Sequence, residues 1–231
     1  MTQRQRLIAD VHGILVKGGF VTSDPKDLVH AGFDIVARKD SVILVIKIIL
    51  NANSLSEGML ASMKSLASAI DGSGIIVAAK SGNDGIEDGV TYSRAGVPLI
   101  SHHTLEDLIL EGVPPLVYAA SGGFYVNIDS DVLRRARSGG LSLGDLAEIA
   151  GVSRRTIKMY EDGMSAKMEI ALRLEEGLGV ELILPLDPLK SCKASKSNFE
   201  NEDYDSIARE IFHTLNRIGY SIMPMSRCPF D

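Results

Sequence analysis

Residues 141–163, LSLGDLAEIAGVSRRTIKMYEDG, constrain the fold more than any other part of the chain. Ser142 is placed to cap a helix, because a serine hydroxyl accepts the free amides of a first helical turn. Leu143, Leu146, Ala147 and Ala150 then fall on one face of that helix. Gly151 follows where the chain must turn through a tight or left-handed conformation, which glycine adopts without steric penalty. Val152 is positioned to pack behind the turn, and Ser153 caps a second helix, RRTIKMYED. Ile157 and Tyr160 lie three apart and share its buried face, leaving Arg154, Arg155, Lys158 and Met159 largely on the other side. A helix over 131–138 (DVLRRARS), ended by Gly139-Gly140, precedes this pair. Another over 168–177, periodic through Ile170, Ala171 and Leu174, follows it. Four short helices punctuated in this way make a compact bundle with two of them crossed at a tight turn.

Over 133–184 the pattern resembles the lambda-repressor-like (Cro-type) helix-turn-helix family. The resemblance implies an all-α domain whose third helix enters the major groove of duplex DNA by its N-terminus. It implies that Ser153, Arg154, Arg155 and Met159 face base edges, and that Ser142, Thr156 and Lys158 touch phosphates. Glu161, inside the run from Tyr160 to Gly163, is used structurally in that family. The loop after Gly163, MSAKME, departs from the pattern in being short and lacking a proline. A competing reading keeps the bundle but uses it for protein contacts only. Residues 129–184 carry 8 basic and 10 acidic side chains, so the domain as a whole is not basic.

The whole chain of 231 residues carries 24 Lys and Arg against 30 Asp and Glu, a net charge of −6. That balance excludes a uniformly basic nucleic-acid coat but leaves room for a small basic reading face on an acidic body. Its two cysteines, Cys192 and Cys228, exclude a disulfide scaffold and a cysteine-rich metal site, and they fit a cytoplasmic protein. The first residues, MTQRQRLIADVHG, contain no signal-peptide apolar core. The longest apolar run, 42–50, includes Lys47 and is half of the roughly 20 residues needed to cross a bilayer, so no membrane partner is expected. His12, His102 and His103 have no Cys, Asp or Glu at metal-ligand spacing, and His30 reads as a loop residue. SGNDGIEDG (81–89) lacks calcium-loop spacing and reads as a solvated turn. No metal and no cofactor is expected.

Residues 1–120, with 10 basic and 13 acidic side chains, read as a small α/β domain with a mixed sheet. Leu7, Val11, Ile14 and Leu15 form a helical stripe ended by Gly18-Gly19. FDIVAR (33–38) and VILVIKI (42–48) are strands joined by a turn at Lys39-Asp40-Ser41. A helix capped by Ser54 or Ser56 follows, with Met59, Leu60, Met63, Leu66, Ala67 and Ile70 in period. GIIVAA (74–79) and 97–100 complete the strands. Uninterrupted apolar strands imply a sheet covered on both faces.

In FDIVARKDSVILVIKI an acid opens one strand and a lysine stands in the next, Asp34 and Lys47 being thirteen residues apart. This resembles the PD-(D/E)xK nuclease fold, a restriction-endonuclease-like architecture in which two carboxylates hold a divalent metal and a lysine assists the attacking water. The second acid belongs two residues before the lysine, and that residue here is Val45. In some relatives a glutamate from the following helix substitutes, and Glu57 is the one residue placed to do so. Three readings compete: a decayed nuclease fold kept for dimerisation or sensing, an active nuclease using Asp34, Glu57 and Lys47, or an unrelated α/β domain with a structural Asp34–Lys47 ion pair.

The polar run 185–202 (PLDPLKSCKASKSNFENE) reads as a linker. Beyond it, 204–218 is helical through Tyr204, Ile207, Ile211, Leu215 and Ile218, followed by Gly219-Tyr220 and Pro229-Phe230-Asp231. Gly219 lies 200 residues after Gly19, and Phe230-Asp231 lies 197 after Phe33-Asp34; two readings compete, an internal duplication or a coincidence, since an amphipathic helix followed by Gly-aromatic is common. Residues 203–231 then read as the start of a second α/β domain, in a chain shortened at its end. This order, with FDIVARKD, the strand at 44–47 and the terminal RCPFD, resembles an archaeal family of helix-turn-helix transcriptional regulators. The resemblance implies a domain at 1–120 for dimerisation or regulation and a DNA-binding domain at 129–184. It implies a non-enzymatic protein that binds double-stranded DNA as a homodimer, at a palindromic operator.

Overall fold

The computed structural model describes residues 1–25, 31–190, 206–220 and 222. The chain opens with helix α1 (Gln3–Lys17), whose Thr2 hydroxyl and Gln5 side chain form a reciprocal cap. Strands β1 (Val21–Thr22), β2 (Ile35–Lys39) and β3 (Val42–Asn51) follow, antiparallel to one another in turn. Asp40 takes the left-handed conformation, φ 51°, that the tight β2–β3 hairpin demands. Ser56, one of the two expected serines, caps α2 (Glu57–Ala69), which carries the chain back to β4 (Ser73–Ser81), parallel to β3. Then come β5 (Asp84–Gly85), β6 (Val90–Arg94), β7 (Val97–Ile100) and α3 (His102–Glu106), which continues as a π-helical turn over Asp107–Glu111.

Strand β3 is apolar without alternation because both of its faces are covered. Leu44, Ile46 and Ile48 pack with Leu7, Val11, Leu15 and Leu105 on the α1 and α3 side. Val45 and Ile49 pack with Leu60, Met63, Leu66 and Ala67 of α2 on the other. Each fully buried aliphatic side chain contributes about 1.5–3 kcal/mol.

The sheet does not stop at the edge of this domain. Strand β8 (Val117–Ala120) pairs parallel to β6 and forms a hairpin with β9 (Gly123–Ile128). The helices α4 (Ser130–Ser138), α5 (Leu143–Ala150), α6 (Arg154–Glu161) and α7 (Met168–Leu178) close around β9, whose Val126 and Ile128 belong to their core. Two short strands pair with β9: β10 (Ala166–Lys167), in the loop after α6, and β11 (Ile183–Leu184). The strand order is β1-β2-β3-β4-β7-β6-β8-β9-β10, with β5 on β4 and β11 on β9. Past β11, the Leu186 amide donates to the Pro115 carbonyl, and Leu189 packs on the α1-side core. The first residues of the expected linker are therefore docked; 191–202 lie outside the described residues, as do Cys192 and Cys228.

Helix α8 (Ser206–Arg217) occupies the expected place, with Ile207, Ile211 and Ile218 exposed. The strand start at Phe230-Asp231, Tyr204 and His30 lie outside the described residues. Among the described residues, no helix is long and apolar enough to cross a membrane.

Candidate nucleic-acid interface

The turn between α5 and α6 is built by the punctuation residues. The Ser142 hydroxyl accepts the amides of Gly144 and Asp145 at 3.1 and 3.2 Å, and the Asp145 carboxylate accepts the Ser142 amide at 2.6 Å. That reciprocal bonding to Ser142, helped by Arg154, holds the Asp145 carboxyl below its ordinary value. Gly151 sits at φ 67°, ψ 37°, and its amide donates to the Ala147 and Glu148 carbonyls, closing α5. The Ser153 hydroxyl accepts the Thr156 amide at 3.1 Å and shares a hydrogen bond with the Thr156 hydroxyl at 2.8 Å.

Burial divides α6 as its periodicity predicts. Ile157 and Tyr160 are buried against Leu146, Ala147, Ala150, Ala171 and Leu174. Ser153, Arg154, Arg155, Lys158 and Met159 are exposed, Met159 at 43%, and Thr156 is half-buried. Arg154 lies over Gly144 at the start of α5, where an added Cβ would come within 3.1 Å of its guanidinium. Lys158 reaches Asp162 at 3.1 Å and Glu161 at 3.8 Å. Arg155 forms no ion pair among the described residues.

Glu161 is the structural member of this group. It is 1% exposed, receives Arg137 at 2.5 Å, and its carbonyl accepts Arg134 Nε at 3.1 Å. The Ser130 hydroxyl donates to the Tyr160 carbonyl at 2.8 Å, so α4 is fastened to the end of α6. Strand β9 was not foreseen in the sequence, although Gly122-Gly123 followed by alternating Phe124, Val126 and Ile128 is a hairpin signal. It completes the module's core, and the Ser165 hydroxyl in the loop after α6 donates to Asn127 at 2.9 Å.

The second candidate site, in the N-terminal domain, is differently constituted. Extending the Ile35↔Ile46 register by one residue sets Asp34 opposite Lys47. The two meet at 3.2 Å, and Arg4 of α1, unnoticed in the sequence, reaches the same Asp34 oxygen at 2.6 Å. The other oxygen accepts the Ile48 amide at 2.7 Å. Asp34 and Lys47 are each 1% exposed. Burial pushes the Asp34 carboxyl up, against the opposing pull of Lys47, the Ile48 amide and Arg4. Burial likewise draws Lys47 down, against Asp34.

This donor set does not suit a divalent ion. Both Asp34 oxygens are occupied by cationic or amide donors, and Val45, at the position of the second acid, is fully buried among apolar side chains. Glu57 is exposed in the first turn of α2. Among the described residues, no three His, Cys, Asp or Glu side chains converge as metal ligands. Asp34 and Lys47 are together, but as a structural ion pair reinforced by Arg4.

Two family models match the chain: a PD-(D/E)XK superfamily domain over residues 4–115 and a helix-turn-helix over 133–184. The N-terminal domain accordingly has restriction-endonuclease-like topology. HTH-type transcriptional regulatory proteins are similar over nearly the whole chain. The one from Methanosarcina barkeri is 40% identical over 98% of this chain and 73% of its own length. Those from Archaeoglobus fulgidus and Halobacterium salinarum are 41% and 37% identical, over 97% and 98% of this chain and 72% of each relative. No solved structure matches. The relatives carry regulatory names, in keeping with a nuclease-like fold whose second metal-binding acid is replaced by valine. The chain belongs to this family of archaeal HTH-type transcriptional regulatory proteins and is thereby classed as a sequence-specific DNA-binding regulator.

Proposed function

We propose that the protein binds a palindromic duplex operator as a homodimer in the cytoplasm, with one α6 helix in the major groove of each half-site. The observation that carries this reading is the divided α6: Ile157 and Tyr160 anchor the helix while Arg154, Arg155 and Met159 stand exposed beside a capped N-terminus. Arg155 is the principal base reader, since an arginine fork binds guanine O6 and N7 bidentately. Arg154, held over the start of α5, and Ser153 read neighbouring bases, and Met159 offers apolar contact to a thymine methyl. Ser142, Thr156 and Lys158 hold phosphates. Lys158 contributes least among the cations because Asp162 and Glu161 compete for it.

A single module of this size makes few contacts, and two modules linked on a two-fold axis multiply them. Two half-sites one helical turn apart would be separated by about 34 Å. The exposed isoleucines of α8 and the N-terminal domain are the candidates for pairing. The test is selection from a random duplex pool at ~0.1 M salt, near a 10 Å Debye length, with Mg²⁺ present and cleavage scored in parallel. An enriched inverted repeat on intact DNA is expected. Enrichment of a single non-repeated site would break the dimer reading, and cut DNA would break the reading of Asp34 and Val45.

A further inference from the structure

Strands β3, β4 and β7 run parallel, and their carboxyl ends open into a cleft of about 440 Å³ between α1 and the start of α3. Crevices at the carboxyl ends of parallel strands are where open α/β sheets take ligands, and this volume suits a small molecule. Leu7, Leu50, Ala78 and Ile86 make an apolar floor. Arg6 and Asp10 line the α1 wall one helical turn apart, and neither forms an ion pair among the described residues. Their Cβ atoms are about 5–6 Å apart by helix geometry, so a cation and an anion on adjacent atoms of one ligand can be held together. The opposite wall carries His102 and Asp88, the latter fixed by a hydrogen bond from the Ser101 hydroxyl at 2.5 Å.

We propose that this cleft is an effector site for an α-amino acid with an apolar side chain. The ligand's carboxylate meets Arg6, its ammonium group meets Asp10, and its side chain lies on the floor. A ligand carrying one charge only would engage Arg6 or Asp10 but not both, so simple anions and amines forgo one of the two charge-assisted hydrogen bonds.

The cleft is wired to the helical module through the sheet. Gly89, next to Asp88, donates its amide to the Thr104 hydroxyl at 2.9 Å, tying the loop to α3 just before Val90. Val90 is in register with Val117, Val117 with Val126, and Val126 with Ala166. One cross-strand row therefore runs from the cleft loop to the segment that follows α6. This second part of the proposal rests on the DNA-binding reading; ligand binding itself does not.

The test uses the full chain. Calorimetric titration is run with L-leucine, L-isoleucine, L-valine and L-methionine, then with acetate and butylamine as half-ligands, without DNA. At least one amino acid is expected to bind, with both half-ligands much weaker, and Arg6→Gln and Asp10→Asn are each expected to weaken binding about tenfold or more. Both positions are exposed, and an unchanged unliganded melting temperature checks that the variants fold. No binding by any of the four, equal binding of acetate, or unchanged affinity in both variants would overturn the site. Operator affinity is then measured with and without the bound amino acid. A change of about fivefold or more, absent in Arg6→Gln, is expected, and no change would overturn the coupling while leaving the site. A chain that binds the amino acid but no DNA would instead overturn the function proposed above.

Discussion

The two domains use charge in opposite ways. In the N-terminal domain, Arg4, Asp34 and Lys47 are enclosed and spend their hydrogen bonds on one another and on β3. In the helical module, Arg154, Arg155 and Met159 stand outside a core that is held by Ile157, Tyr160 and the buried Glu161. Enclosed charges lock geometry and are screened from solvent, and both oxygens of the Asp34 carboxylate already accept bonds from the chain's own donors. Exposed cations do little for stability, typically below about 1 kcal/mol per surface pair, and remain available to a polyanion. The nuclease-like fold encloses its charges here, whereas helix α6 keeps its cations outside.

The largest expected effect that would break this comparison is on Asp34. Asp34→Ala leaves the buried Lys47 and the half-buried Arg4 without their carboxylate and should cost about 3–5 kcal/mol in urea unfolding. A loss below about 1 kcal/mol would mean the cluster is solvated like a surface pair. Next is Arg155→Ala, expected to cost about 1–3 kcal/mol of binding on the selected operator and to relax specificity. Its folding stability should stay within about 0.5 kcal/mol of wild type. Equal loss on operator and random DNA would make Arg155 a phosphate contact.

Ser142→Ala should lower stability by about 1 kcal/mol through loss of the α5 cap, read as a lower urea midpoint. Lys158→Ala should weaken binding less than Arg155→Ala and reduce the log–log salt slope by about 1 if the side chain holds a phosphate. An unchanged slope would assign Lys158 to Asp162 and Glu161 and not to a phosphate.

The subtlest test is acidification, where Asp34 and Asp145 must act with opposite sign. Asp145 has a depressed value in the folded state, so its stabilisation is full above the ordinary carboxylate value of 3.8 and is lost as pH falls through the depressed value. Asp34 has a raised value, so its linkage contribution is full below 3.8 and is lost as pH rises through the raised value. Stability measured against Asp145→Asn should therefore fall on acidification, and against Asp34→Asn it should rise. The same sign in both comparisons would refute the contrast.

Much of this was legible beforehand. The helices α5 and α6, their caps at Ser142 and Ser153 and the left-handed Gly151 are local matters of propensity and spacing, whereas the structural role of Glu161 came only with the family resemblance. The Asp40 turn and the two-sided burial of β3 were also readable from short windows. Arg4 was not: it lies thirty residues before Asp34, and only the packing of α1 on β3 brings them together. Strand β9 was less legible because its pairing with β10 and β11 depends on residues tens of positions away.

By itself the sequence determined the helical module, the mixed sheet and the loss of the second acid at Val45, because hydrophobic periodicity, capping chemistry and residue identity act within a few positions. Tertiary structure alone decided that Asp34 is sealed by two cations, that one cross-strand row joins the cleft to the helical module, and that Lys158 is shared with two carboxylates. Those features depend on which distant segments come within a few ångströms, and long-range packing sets that distance.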